Sequence, residues 1–174
     1  MQHLEENMIF LNINNRSDSL RMDIRKFYEG FYSLNLENSL IQIKNDNLIM
    51  ELDEEFPYDD ARTFLYGGCD LFAIALSHKF GYECYEIRSG ASVHCFCKVE
   101  IDGSVVFIDV RGMTNDFYRF LDDTYINPQE FTIEKMLIRD VDICNNEWNK
   151  EGYMFAQKII EENLDFYDVS KLFE

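Results

Sequence analysis

Gly67-Gly68-Cys69-Asp70-Leu71-Phe72-Ala73-Ile74-Ala75-Leu76 is the stretch from which the fold of this 174-residue chain is read. A glycine pair breaks the preceding pattern, and an apolar run follows in which Phe72, Ala75, Leu76 and Phe80 fall on one face of a helix. Gly81 is placed as the residue just past the helix end. Tyr82 to Ile87 then reads as a strand and Ser89-Gly90-Ala91-Ser92 as a loop. Val93 to Ile101 alternates, Asp102-Gly103 is a two-residue hairpin signal, and Val105 to Val110 returns.

The flanks are less sharply punctuated. Ser17-Asp18-Ser19 offers an N-cap to a helix carrying Leu20, Ile24, Phe27, Tyr28 and Phe31, and Leu48 to Leu52 reads as a short strand. Tyr153, Phe155, Ala156, Ile159, Ile160 and Leu164 form an apolar stripe on a C-terminal helix. The expectation is a single α+β domain over residues 1–174, with a motif-bearing core at about 62–112 and acidic helical flanks at 1–61 and 113–174.

Charge is distributed in the same three parts. The net charge is −17; acids and bases number 13 and 5 in residues 1–60, 6 and 5 in 61–112, and 14 and 6 in 113–174. Such a balance repels phosphate, so nucleic acid and anionic membrane surfaces are not the expected partners. The N-terminus has no basic segment followed by an apolar run, no stretch approaches a membrane span, and the five cysteines are odd in number and irregularly spaced. Reduced thiols in a cytoplasmic setting are expected.

The chemistry is concentrated in the core. Cys69 in the first turn of its helix faces unpaired N–H groups and the positive end of the helix dipole, both of which favour a thiolate. Gly67 and Gly68 let the backbone approach a substrate closely, and the Cys69 amide is placed to bind a developing oxyanion. The hairpin tests two further members. With Asp102-Gly103 as its loop, Ile101 pairs with Ser104, Phe96 lies opposite Asp109, and His94 lies opposite Arg111. His94 and Asp109 are then diagonal neighbours on one face, about 7 Å apart at the backbone. A slip of one residue would send them to opposite faces. The pattern predicts a nucleophile Cys69, a general base His94 and an orienting Asp109, with Arg111 near enough to tune the site or contact substrate.

These residues resemble the transglutaminase-like branch of the papain-like cysteine hydrolases. The likeness rests on Gly67-Gly68-Cys69 with Phe72-Ala73, on His94-Cys95-Phe96 and on Ile108-Asp109-Val110, and it spans about residues 62–112. It implies a papain-like core in which the nucleophile helix packs on an antiparallel sheet, the same three catalytic residues, and no cofactor. In that family an aromatic often follows the cysteine, where this chain has Asp70. A Pro or Thr often follows the aspartate region, where this chain has Arg111-Gly112. A side-chain oxyanion donor stands just upstream of the cysteine, where Tyr66 is the nearest substitute.

Zinc would draw on His94, Cys95 and Cys97 with Cys84 or Cys144, but the chain has no Cys-x-x-Cys pair, and Cys95 and Cys97 point away from His94 on an alternating strand. The runner-up is a noncatalytic acidic interaction protein, of the kind that inhibits a basic partner on behalf of a mobile genetic element. For the enzyme, a peptidase, a deamidase and a transglutaminase-like acyltransferase share one thioester route, and the expected partner is a protein or peptide, with a basic group near the reacting carbonyl.

Overall fold

The computed structural model describes residues 63–101, 103–122, 124–138, 143 and 146–173, with 41–44, 47–50, 63, 66, 172 and 173 described by their backbone alone. The helix expected from Leu20 to Phe31 lies outside them. In chain order the elements are β1 (Ile41–Lys44), β2 (Asn47–Met50), α1 (Thr63–Tyr66), α2 (Cys69–Phe80), β3 (Glu83–Ser89), β4 (Ser92–Ile101), β5 (Ser104–Asp109), β6 (Gly112–Thr114), α3 (Phe117–Leu121), β7 (Thr132–Lys135), α4 (Glu147–Glu162), α5 (Leu164–Tyr167) and a 3-10 turn at Val169–Phe173. The protein is α+β. β1 and β2 form an antiparallel hairpin, so the strand read at Leu48–Leu52 begins one residue earlier and pairs back on its predecessor.

The main sheet has five strands in the order β6-β5-β4-β3-β7, and every adjacent pair is antiparallel. Its centre is fixed by the Asp102-Gly103 turn. Gly103 takes φ +78, which an L side chain rarely adopts, and the β4–β5 register runs from Ile101↔Ser104 to Cys97↔Ile108. β7 was not anticipated. Phe131-Thr132-Ile133 has strand propensity, but the run is short and is followed by charges, so its pairing with β3 supplies the order that the local sequence does not.

Each face of this sheet buries its own core, because side chains alternate along a strand. Cys84, Cys95, Cys97, Val106 and Ile108 face α2, which buries all six residues from Leu71 to Leu76. A helix covered on most sides has no need of a sharp polar stripe. Gly81 ends it in the left-handed region at φ +78, its N–H donating to the Ser77 carbonyl at 2.7 Å. α4 packs across α2 through Phe155, Ala156, Ile159 and Ile160. Asn146 caps α4, its side chain accepting the Asn149 N–H at 2.8 Å. The helix stops at Glu162, so Leu164, expected on its apolar stripe, instead opens α5 at the surface.

The opposite face is aromatic. Phe96, Phe107, Phe117 and Phe120 are fully buried there, with Phe107 stacked on Phe120 at 4.9 Å and Phe96 tilted against Phe120 at 4.8 Å. Each such ring contributes about 1.5–3 kcal/mol by leaving water. His94 and Asp109 belong to this face, and the His94 ring lies 5.6 Å from that of Phe120. A sheet pinned on both sides gives the site residues a rigid support.

Candidate active site

Gly68 is the N-cap of α2, and its carbonyl accepts from Leu71 N–H at 3.1 Å and Phe72 N–H at 3.3 Å. Cys69 is therefore the first helical residue, as the glycine pair predicts. The N–H groups of this first turn have no intrahelical acceptor, and their dipoles favour negative charge on the sulfur. The Cys69 side chain is buried but lines a cavity of about 630 Å³.

The β4–β5 ladder stops at Cys97↔Ile108, just short of the site. Two residues further on, the Cys95 N–H is donated to Cys69 Sγ at 3.3 Å. The end of one strand pairing thus supplies a backbone donor for the sulfur. The Cys69 thiol is held down at about 4, against an ordinary value of 9.0. A hydrogen bond with the Cys95 side chain is the largest cause. Burial opposes it, and the hydrogen bond and charge of His94 add to the lowering, with the Cys95 N–H last. The Cys95 thiol moves up in response, first through Cys69 and then through burial, and stays protonated. Asp70 adds its repulsion to Cys95.

His94 is fully buried, and its Nε2 lies 2.9 Å from Asp109 Oδ2. The predicted diagonal contact is present. Burial pulls the His94 pKa down, but the Asp109 hydrogen bond and then Cys69 outweigh it, so the net direction is up. With Nε2 turned to Asp109, Nδ1 is the nitrogen left to serve Cys69. It is buried and has no hydrogen-bond partner among the described residues, Cys69 Sγ included. A thiolate and an imidazolium so placed would stabilise one another, and a carboxylate holds the ring.

Arg111 is where the expectation and the structure part. The expected register places it across from His94, to tune the site or contact substrate, but the pairing ends first and that cross-strand position is lost. β5 turns into β6 through Val110-Arg111, with Asp109 paired to Gly112 at φ +113. Arg111 is buried and bound to the third member of the site. Its backbone N–H donates to Asp109 Oδ1 at 2.8 Å, Nη2 to Oδ2 at 2.7 Å, and Nε to both oxygens at 3.2 Å. Nη2 also donates to the Phe120 carbonyl and Nη1 to the Asp122 carbonyl, both at 2.6 Å. Arg111 does not line the Cys69 cavity. Burial pushes the Asp109 carboxyl up, but the Arg111 charge, then His94, hold it well below the usual carboxylate range.

Two of the predicted oxyanion residues are placed less fully. Gly68 is buried at the helix start and does not line the cavity, whereas Gly67 and Cys69 do. Tyr66 ends α1, and its side chain lies outside the described residues. Tyr167 was not anticipated. Its hydroxyl donates to the Val110 carbonyl at 2.8 Å and its ring packs on Phe72 at 5.4 Å, so the C-terminal segment braces both the Asp109 turn and the Cys69 helix.

Cys84 and Cys97 form a second thiol pair, 3.7 Å apart, and both donate to the Ala73 carbonyl, at 3.2 and 3.3 Å. Burial is the largest cause of the upward shift of Cys97, which keeps that sulfur a packing group. Among the described residues no cluster of His, Cys, Asp and Glu is arranged to hold a metal ion. No helix among them is long and apolar enough to cross a membrane. Comparison with protein-family models, with characterised proteins and with solved structures finds no match to this chain.

Proposed function

We propose that the protein is a cysteine-dependent acyl-transfer enzyme with a papain-like core of the transglutaminase-like kind, acting on an amide carbonyl of a protein or peptide. The observation that carries this reading is the convergence at Cys69: a low-pKa thiol at a helix N-terminus, a cavity beside it, and a His94–Asp109 pair at 2.9 Å. The packing pair Cys84 and Cys97 splits in the same sense, Cys84 lowered and Cys97 raised, so what supports a reactive role for Cys69 is the cavity and the His94–Asp109 pair beside it.

The reaction follows from these groups. The Cys69 thiolate attacks the carbonyl carbon, forming a C–S bond and moving the π electrons onto oxygen. The Cys69 backbone N–H, in the open first turn of α2, stabilises that oxyanion. The tetrahedral intermediate collapses, the C–N bond breaks, and His94 gives its proton to the departing nitrogen. The neutral imidazole then takes a proton from water or an acceptor amine, which attacks the thioester carbon, and the C–S bond breaks to restore the thiolate. Asp109 keeps the ring oriented and stabilises its charged form. Hydrolysis, deamidation and transfer differ only in which nitrogen leaves and which nucleophile arrives. A reducing, cytoplasmic setting suits a free thiolate of this kind.

Acylation by p-nitrophenyl acetate tests this reading. A burst of nitrophenolate stoichiometric with protein, and an acetyl group mapped to Cys69, is expected; His94→Ala should slow both acylation and release. Equal acylation of several cysteines, or an unchanged burst in His94→Ala, would leave the noncatalytic acidic-surface reading in its place.

A further inference from the structure

The loop beside the cavity holds an anomaly. Tyr125 has φ +59, and it is the one non-glycine residue with positive φ among the described residues. A bulky L residue pays steric strain in that region, which glycine would avoid. Its neighbours explain why the backbone bends. The Thr124 hydroxyl donates to the Leu121 carbonyl at 2.6 Å, Ile126 is buried in the aromatic core, and the Asn127 N–H donates to Ser89 Oγ at 3.1 Å. The tyrosine side chain itself is 80 % exposed.

Function is the other place where strain is retained, and Tyr125 lines the cavity that contains Cys69. Two more exposed apolar side chains, Val93 and Leu137 (74 % exposed), line the same cavity, whose inner walls include Leu65, Ile74 and Met136. Among the described residues the charged groups lining the cavity are Asp70 and Glu86, Glu86 is paired with Arg88 at 2.9 Å, and no Lys or Arg lines it. Exposed apolar groups gathered at the mouth of a cavity mark a binding surface.

We infer that Tyr125 is a specificity-determining residue, held in a strained conformation to clamp a large apolar group next to the reacting carbonyl. The substrate class is a neutral or cationic acyl donor with an aromatic or long aliphatic side chain at that position, and anionic donors are excluded by Asp70 and Glu86. This inference rests on Cys69 being the nucleophile.

The two claims separate in one experiment. Cys69 alkylation is timed with 2-chloroacetamide, N-benzyl-2-chloroacetamide and iodoacetate, each rate divided by that for glutathione. The small neutral reagent reads the thiolate alone. The benzyl-to-small ratio, in which thiolate reactivity cancels, reads the clamp. A ratio about tenfold or more above that of glutathione is expected, from burial of one aromatic ring, with iodoacetate disfavoured. Tyr125→Gly and Tyr125→Asn, both tolerant of positive φ, should bring the ratio to within about threefold of glutathione while leaving the thermal midpoint equal or higher.

A glutathione-like ratio in the native protein would overturn the inference and leave the nucleophile standing. So would a ratio that survives both substitutions, or a midpoint that falls in both, which would make Tyr125 a structural residue. Slow reaction of Cys69 with 2-chloroacetamide itself would overturn the nucleophile reading, and this inference with it.

Discussion

Replacing Arg111 with methionine should be among the most damaging single changes outside the proposed catalytic trio. Methionine fills much of the same volume but carries no charge and no donors. Asp109, itself buried, would keep its contacts with His94 Nε2 and the residue-111 N–H and lose three side-chain N–H contacts. The carbonyls of Phe120 and Asp122 would each lose a charged donor at 2.6 Å. Breaking a buried ion pair by removing one partner costs about 3–5 kcal/mol, a large share of a typical total of about 5–15 kcal/mol.

Urea unfolding followed by far-UV circular dichroism would read this as a lower midpoint at constant slope. Arg111→Lys, which keeps the charge but not the planar fork, should fall between the two. The pH dependence sharpens the test. Asp109 has a folded-state pKa below its unfolded value of about 3.9, so its contribution is fully present above that value and is lost as pH falls through the folded pKa. The gap between native protein and Arg111→Met should therefore be widest near neutrality and narrow in acid. A loss under about 1 kcal/mol at neutral pH would refute the argument, since it would mean that the buried charge needs no partner.

Other changes read single links of the same chain. His94→Ala removes influences that lower the Cys69 thiol, so the pH midpoint of iodoacetamide labelling of Cys69 should move up from about 4, and labelling below that pH should slow by about tenfold for each pKa unit of the move. Gly81→Ala meets no atom within 4 Å but must adopt φ +78, so it should cost about 1–2 kcal/mol of thermal or urea stability through strain alone. Asn146→Ala removes the α4 cap and should cost about 1 kcal/mol, with amide exchange rising first at Asn149, whose N–H the cap accepts.

The His94–Asp109 contact is legible in the sequence because one local signal controls it. A two-residue Asp102-Gly103 turn fixes the β4–β5 register, and parity then puts His94 and Asp109 on one face. The Cys69 helix was equally plain, with a glycine at each end. What could not be read depended on where a pairing stops. Sequence gives no sign that the ladder ends at Cys97↔Ile108, and that ending frees the Cys95 N–H for Cys69 and turns Arg111 inward to Asp109. Nor could β7 or the Tyr167 brace be found, because each is defined by partners tens of residues away. Tyr125 carries no local sign of its backbone conformation, which buried neighbours on both sides impose.

The measurement that tests the central claim most directly is the pH dependence of alkylation at each of the five cysteines, read residue by residue by mass spectrometry. Because the Cys69 pKa is lowered to about 4, its labelling should remain fast through neutral pH and fall only as the pH approaches that value, while Cys95 and Cys97 stay unreactive in the folded protein. If Cys69 is as inert as Cys95 and Cys97 near pH 7, the thiolate–imidazolium pair does not exist and the account fails.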